Sequence, residues 1–182
     1  MKKFLPAIAI SFVFTGLMVS QLVINGQELS ASLVEKNKAR FALFDDQFQN
    51  LKDKAFSGNI IELKTRKEPI VIVNFWASWC KPCIAEFKSL NALLNKFPGK
   101  IFVLGINNDT EEPMKAVAKI NDKYQLQFDS LVDAKGSYAD KYKVMSVPSS
   151  IIYHNGKVIK YIDKEFNFMS DRFTSLISSK ID

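Results

Sequence analysis

The pentapeptide Trp79-Cys80-Lys81-Pro82-Cys83 constrains this chain more than any other stretch. It follows an apolar run, Ile70 to Trp76, and opens a helical pattern that continues to about Phe97. Cys80 and Cys83 are the only cysteines in 182 residues. With two residues between them, they can close a small disulfide ring with little backbone movement if the intervening turn is the first turn of a helix. Cys80 would then lie where unpaired backbone N–H groups and the positive end of the helix dipole stabilise a thiolate. A pair built to open and close is the chemistry of thiol-disulfide exchange.

Other uses of the pair fit less well. A structural disulfide stabilises by constraining the unfolded chain and gains with loop length, and a two-residue loop constrains little. A closed zinc site needs four ligands, whereas the chain has no second cysteine pair and a single histidine, His154. Inert core cysteines are the plainest alternative, but the preceding tryptophan and the strand-then-helix context argue for a reactive pair.

Met1-Lys2-Lys3 precedes an uncharged apolar stretch from Phe4 to Ile24, about the length that crosses a ~30 Å hydrocarbon core as a helix. It is read as a membrane anchor, with a cleaved signal peptide as the alternative; a small-x-small cleavage site is poorly matched. No cysteine follows the stretch to carry a lipid. Lys2 and Lys3 hold the N-terminus in the cytoplasm, which places everything after Ile24 beyond the membrane, in a compartment that permits disulfides. The 25 Lys+Arg, less those two lysines, against 19 Asp+Glu leave +4. The charges are interspersed and no basic cluster has interleaved aromatics, so no nucleic-acid partner is expected.

Residues 1–25 thus form the anchor or signal peptide, 26–50 a connector and 51–182 the folded domain. In the connector, Phe41, Phe44 and Phe48, with Leu51 beyond it, recur at helical spacing, although a short strand and turn would also satisfy the pattern. Its second half is expected to pack on the domain. Ile60 to Leu63 pairs back across Ser57-Gly58-Asn59 as a small hairpin. Ile70 to Trp76 is apolar on both alternating faces, as a central strand covered by helices should be. Phe87, Leu90, Leu93, Leu94 and Phe97 form the inward stripe of the next helix, which Pro98-Gly99 ends. Ile101 to Ile106 is a strand, and Asn107 to Thr110 supply turn and capping residues. Glu111 to Tyr124 is a helix with Met114, Val117, Ala118 and Ile120 inward. Phe128 to Val132 is a strand and Gly136 to Tyr142 a short helix. Val147 to Tyr153 and Val158 to Ile162 form an antiparallel hairpin around Asn155-Gly156. A helix from Asn167 to Ile181, with Met169, Phe173, Leu176 and Ile177 inward, closes the chain. The fold class is α/β, with a mixed central sheet and helices on both faces.

Asn74-Phe75-Trp76-Ala77-Ser78-Trp79-Cys80-Lys81-Pro82-Cys83, followed by Glu86, the helix-strand insertion from Glu111 to Val132, and Val147-Pro148 before the hairpin together resemble the thioredoxin fold. More narrowly, Leu51 to Ile181 resembles the membrane-tethered, exported thioredoxin-like proteins of the TlpA/ResA/CcmG family, with the hairpin as an N-terminal extension. The resemblance implies a thiol-disulfide oxidoreductase without a cofactor. Its partners would be exported proteins carrying disulfides or thiols and a membrane electron donor, and it would commonly be a reductase, with several relatives serving cytochrome c maturation. By the same resemblance Cys80 is the nucleophile, Cys83 resolves the mixed disulfide, Pro148 is a cis-proline and the backbone of Val147 pairs with substrate. Trp76, Trp79, Lys81 and Pro82 line the site. Thioredoxin itself keeps an aspartate where Asn74 stands, and an amide cannot take a proton, so the resemblance gives the proton of Cys83 to Glu86, one helical turn on, with a merely solvated helix glutamate as the plain alternative.

Lys81 pulls the other way on direction, since a stabilised Cys80 thiolate makes a better oxidant. A thiol oxidase is therefore kept as an alternative. Lys88 and Ser-Val-Pro-Ser also depart from the pattern of a dedicated cytochrome c maturation protein. A copper-delivering protein of the Sco type is a rival from a different class, and would need three residues between the cysteines and a histidine in reach. A tethered holdase or adaptor with vestigial cysteines is a third reading.

Overall fold

The computed structural model describes residues 5–181, without side chains for residues 5–19, 22–26 and 29. The side chains of the apolar stretch that carries the anchor expectation therefore fall almost wholly outside the described residues. Among the described residues no helix is long and apolar enough to cross a membrane. The chain forms two units, residues 1–42 and residues 43 onward. Helix α1, Leu5–Asn50, runs through the whole connector, so the strand alternative for that region is replaced by helix.

The second unit begins eight residues ahead of the expected boundary at Leu51, because the last two turns of α1 supply core. Phe44 and Phe48 are buried there, and Tyr153 donates its hydroxyl to the carbonyl of Phe44 (3.1 Å). Asp45 accepts from the backbone N–H of Val158 (2.8 Å) and from Lys157 (3.2 Å). Strands β1, Lys52–Lys54, and β2, Ile60–Glu62, pair antiparallel as the small hairpin.

The main sheet has five strands. They are β3 (Ile70–Trp76), β4 (Ile101–Asn107), β5 (Asp129–Val132), β6 (Ser149–His154) and β7 (Lys157–Ile162). Their order is β5-β4-β3-β6-β7, with β3, β4 and β5 parallel and β6 and β7 antiparallel to their neighbours. The parallel connections run through helices α2 (Lys81–Lys96) and α3 (Pro113–Tyr124), as crossover geometry demands. A short helix, α4 (Ser137–Tyr142), follows β5, and α5 (Asp171–Ile181) closes the chain.

All seven residues of β3 are buried, and their alternation divides two layers of core. Ile70, Ile72 and Trp76 join Phe87, Leu90 and Leu93 of α2 and Phe173 and Ile177 of α5. On the other face Phe75 meets Tyr142 of α4, whose ring also neighbours Phe44 (centroids 5.4 and 6.2 Å). Met114 and Ala118, expected inward on α3, are exposed, because that helix meets the core through Val117, Ile120 and the partly buried Tyr124. The closing helix begins at Asp171 instead of Asn167. The residues ahead of it instead lay Phe166 and Phe168 against Phe173 (centroids 5.2 and 5.6 Å).

In the middle of the sheet Gly105 of β4 stands beside Asn74 of β3. Trp76 donates its indole N–H past this glycine to the hydroxyl of Ser130 on β5 (3.2 Å). A Cβ at position 105 would lie on Ser130 Oγ and 2.7 Å from Trp76 Nε1.

Candidate active site

The C-terminal end of β3 delivers the cysteines. Ala77 is buried, and Cys80 closes a tight turn by donating its backbone N–H to Ala77 O (3.2 Å). Cys80 then serves as the N-cap of α2, extended in backbone (φ −82°, ψ 97°), and its Sγ accepts the backbone N–H of Cys83 (3.2 Å). That amide is one of the donors that a helix start leaves without an intrahelical partner. In the dithiol form it would hold charge on Cys80. Pro82 falls in the first turn, where a missing N–H costs no hydrogen bond.

Cys80 and Cys83 are joined in a disulfide, with 5.3 Å between their Cα atoms. Cys83 is fully buried and Cys80 is only 4% exposed. Trp79 stands out beside them at 69% exposure, and Lys81 and Pro82 are also exposed. Trp76 is fully buried, edge-on to Phe87 (5.3 Å), beneath the start of α2.

Glu86 lies one turn after Cys83, on the neighbouring face of α2, and is 2% exposed. Its Oε1 accepts the backbone N–H of Phe166 (2.7 Å) and its Oε2 accepts from Asn74 Nδ2 (3.2 Å). Burial pushes its pKa up to about 7. The Phe166 and Asn74 donors oppose that rise, and the charge of Glu165 adds to it. Asn74 is itself wholly buried and also donates to Ser150 Oγ on β6 (2.8 Å), while its Oδ1 has no partner.

The Val147–Pro148 peptide is cis. Phe75 pairs with Ser149, so the proline is next in register beside Trp76, at the sheet end where the cysteines emerge. Val147 packs against the cluster that holds Cys80, Cys83 and Trp76. Ser149 donates its hydroxyl to Ser146 O (2.8 Å), which folds the loop before the proline back on itself. The structure thus brings Cys80, Cys83, Glu86, Asn74, Trp76, Val147 and Pro148 to one end of the sheet. His154 is not among them. It pairs with Ile70 at the opposite end of β3, about 20 Å away at strand rise, so it is out of reach of the cysteines as the copper-delivery reading would need it.

Two contributors escaped the sequence reading. The backbone N–H of Phe166 carries no signal in residue type. Asp109, read as a turn or capping residue, does not cap α3; it binds Ser78 in the turn before Cys80.

The model of the AhpC/TSA family matches residues 44–162. The chain belongs to the AhpC/TSA family. It is 38% identical over 110 residues to the thioredoxin-like protein YneN of Bacillus subtilis, covering 60% of this chain and 64% of YneN. It is 36% identical over 110 residues to the thiol-disulfide oxidoreductase ResA of Bacillus thuringiensis subsp. konkukian, covering 59% and 62%. The chain thus spans less than two thirds of the length of these curated relatives. ResA among them agrees with the narrower resemblance seen in the motifs.

Solved structures share the thioredoxin-like fold. A secreted Mycobacterium tuberculosis disulfide oxidoreductase homologous to E. coli DsbE superposes with a TM-score of 0.63 at 24% identity, over 74% of this chain and 98% of that one. StoA from Bacillus subtilis gives a TM-score of 0.57 at 21% identity, over 70% and 93%. This AhpC/TSA member therefore has the thioredoxin-like fold, with a mixed five-stranded sheet, and carries its cysteine pair just beyond the C-terminal end of β3.

Proposed function

We propose that this chain is a thiol-disulfide oxidoreductase held at a membrane with its domain outside the cytoplasm, where it reduces disulfides of exported proteins. The observation that carries the reading is the placing of three groups on one helix start: Cys80 as N-cap, Cys83 fully buried behind it, and Glu86 buried one turn further on. The resemblance to named thiol-disulfide oxidoreductases supports it.

In the dithiol form, the Cys80 thiolate attacks one sulfur of a substrate disulfide. A Cys80–substrate bond forms, the substrate bond breaks, and the departing substrate thiolate takes a proton. Glu86 accepts the proton of Cys83, whose thiolate attacks Cys80 Sγ and expels the second substrate thiol. Two electrons have passed to the substrate, and the Cys80–Cys83 disulfide remains. A membrane-bound dithiol donor must return two electrons to complete the cycle. Val147, beside the cis-proline, offers backbone to an extended substrate segment. Exported apocytochromes, whose haem-binding thiols must be reduced, are one substrate class this chemistry would serve.

The test is the behaviour of Cys83→Ser, which should trap substrates as mixed disulfides on Cys80, while Cys80→Ser traps none. A reduction potential near ~−270 mV or below supports a reductase, and one near ~−120 mV makes the protein an oxidase of exported thiols. Location is read by fusing alkaline phosphatase after Ile181: activity is expected, and its absence would place the domain in the cytoplasm.

A further inference from the structure

Asp109 lies in the loop after β4, and the exchange cycle does not use it. It is 4% exposed. Its Oδ1 accepts from Ser78 Oγ (2.9 Å), and its Oδ2 accepts from the Ser78 backbone N–H (3.0 Å) and from Asn107 Nδ2 (2.6 Å). The Asp109 N–H in turn donates to Asn107 Oδ1 (3.3 Å). Every group on the carboxylate is a neutral donor, and among the described residues no cation pairs with it.

A buried carboxylate without a counter-cation loses hydration that its hydrogen bonds must offset, so its presence asks for a use. Helix capping is not that use. Helix α3 starts at Pro113 after Glu112 and has no side-chain cap. Asp133, the buried aspartate in the corresponding loop after β5, does serve its own helix by accepting from the N–H groups of Tyr138 (2.9 Å) and Ala139 (3.0 Å). Asp109 turns instead to Ser78, inside the turn that Cys80 closes on Ala77.

We propose that Asp109 is a positioning residue that holds the Ser78 turn and biases the Cys80/Cys83 couple toward the disulfide, making the protein more reducing than its helix N-terminus and Lys81 alone would make it. The inference rests on the exchange function proposed above. Negative charge develops on Cys80 only in the dithiol form; the disulfide is neutral. A fixed carboxylate bound to Ser78, two residues before Cys80, therefore raises the energy of the reduced state alone. Lys81, exposed at the head of α2, acts with the opposite sign.

The measurement is equilibrium with glutathione. The protein dithiol gives two electrons to glutathione disulfide, forming the Cys80–Cys83 disulfide and two molecules of glutathione. Asp109→Asn should shift this equilibrium toward the protein dithiol by about three- to tenfold, where tenfold equals ~30 mV. The thiolate absorbance of Cys80 should titrate at lower pH. Asp109→Glu keeps the charge and should stay closer to the wild type than Asp109→Asn does. Asp109→Ser keeps an acceptor oxygen without charge and provides a second neutral variant, with folding checked by near-UV circular dichroism.

A purely structural Asp109 would change stability while leaving potential and titration in place. Folded neutral variants with wild-type values for both overturn the proposal. In the wild type, hydrogen exchange at the Ser78 amide should be slow, and free exchange there would overturn the tether without any variant. A wild type that never equilibrates with glutathione defeats the exchange function, and this inference with it. A wild type that does equilibrate, beside an unshifted Asp109→Asn, defeats the inference alone.

Discussion

Glu86 holds its proton up to about pH 7 because the charged form has lost its water, against an ordinary carboxyl value of 4.5. The folded protein thus binds this proton more tightly than the unfolded chain does. The resulting contribution to stability is complete below about pH 4.5 and is lost as pH rises through about 7. Between pH 5 and pH 8, the unfolding free energy of the oxidised protein read from urea titration should fall by an amount on the order of 3 kcal/mol that Glu86→Gln does not show. The orphaned Oδ1 of Asn74 allows that variant to form, since turning the Asn74 amide lets it accept from a glutamine. The same substitution should slow release of substrate from the mixed disulfide by roughly 100-fold at pH 7, read by stopped-flow. An unslowed release would remove Glu86 from the proton path.

The last two turns of α1 behave as part of the domain because Phe44 and Phe48 fill the face of the sheet that α2 and α5 leave open. A chain starting at Leu51 should be less stable by at least about 4 kcal/mol than one starting at Leu43, given the usual cost of losing two buried phenylalanine side chains. Equal denaturation midpoints would show that these turns merely rest on the domain. The helical spacing of Phe44, Phe48 and Leu51 was visible in the chain, and so were β3 with six apolar residues in its seven positions and the start of α2 at the cysteines. Those are local patterns, set by period and by residue type within a few positions. What stayed hidden was long-range. The partners of Glu86 come from Asn74 and Phe166, 12 and 80 residues away in sequence. Asp109 finds Ser78 across 31 residues, among Asn and Asp residues whose ordinary use is in turns. On α3, helical period alone nominated Met114 and Ala118, but a helix lying at the edge of the core buries a narrower stripe than its apolar residues suggest.

Across the whole domain the only possible covalent cross-link closes a two-residue gap, so the architecture rests on packing. Loop-closure entropy for so small a ring amounts to about 2 kcal/mol, which corresponds to a drop of roughly 5–10 °C in Tm on reduction. Calorimetry with and without reductant should show one cooperative transition in both states. Loss of the transition on reduction would mean that the disulfide is structural. The same reliance on packing gives Gly105 its weight. Gly105→Ala should cost about 1–3 kcal/mol, because the added methyl is fixed to backbone and the indole it meets is rigid. Scanning the domain by trimming side chains to alanine would log every residue around Trp76 as a loss of material, and this one position as a gain. What the sheet needs here is vacancy: a gap one methyl wide in β4, across which the ring beneath the cysteines stays tied to β5, two strands away.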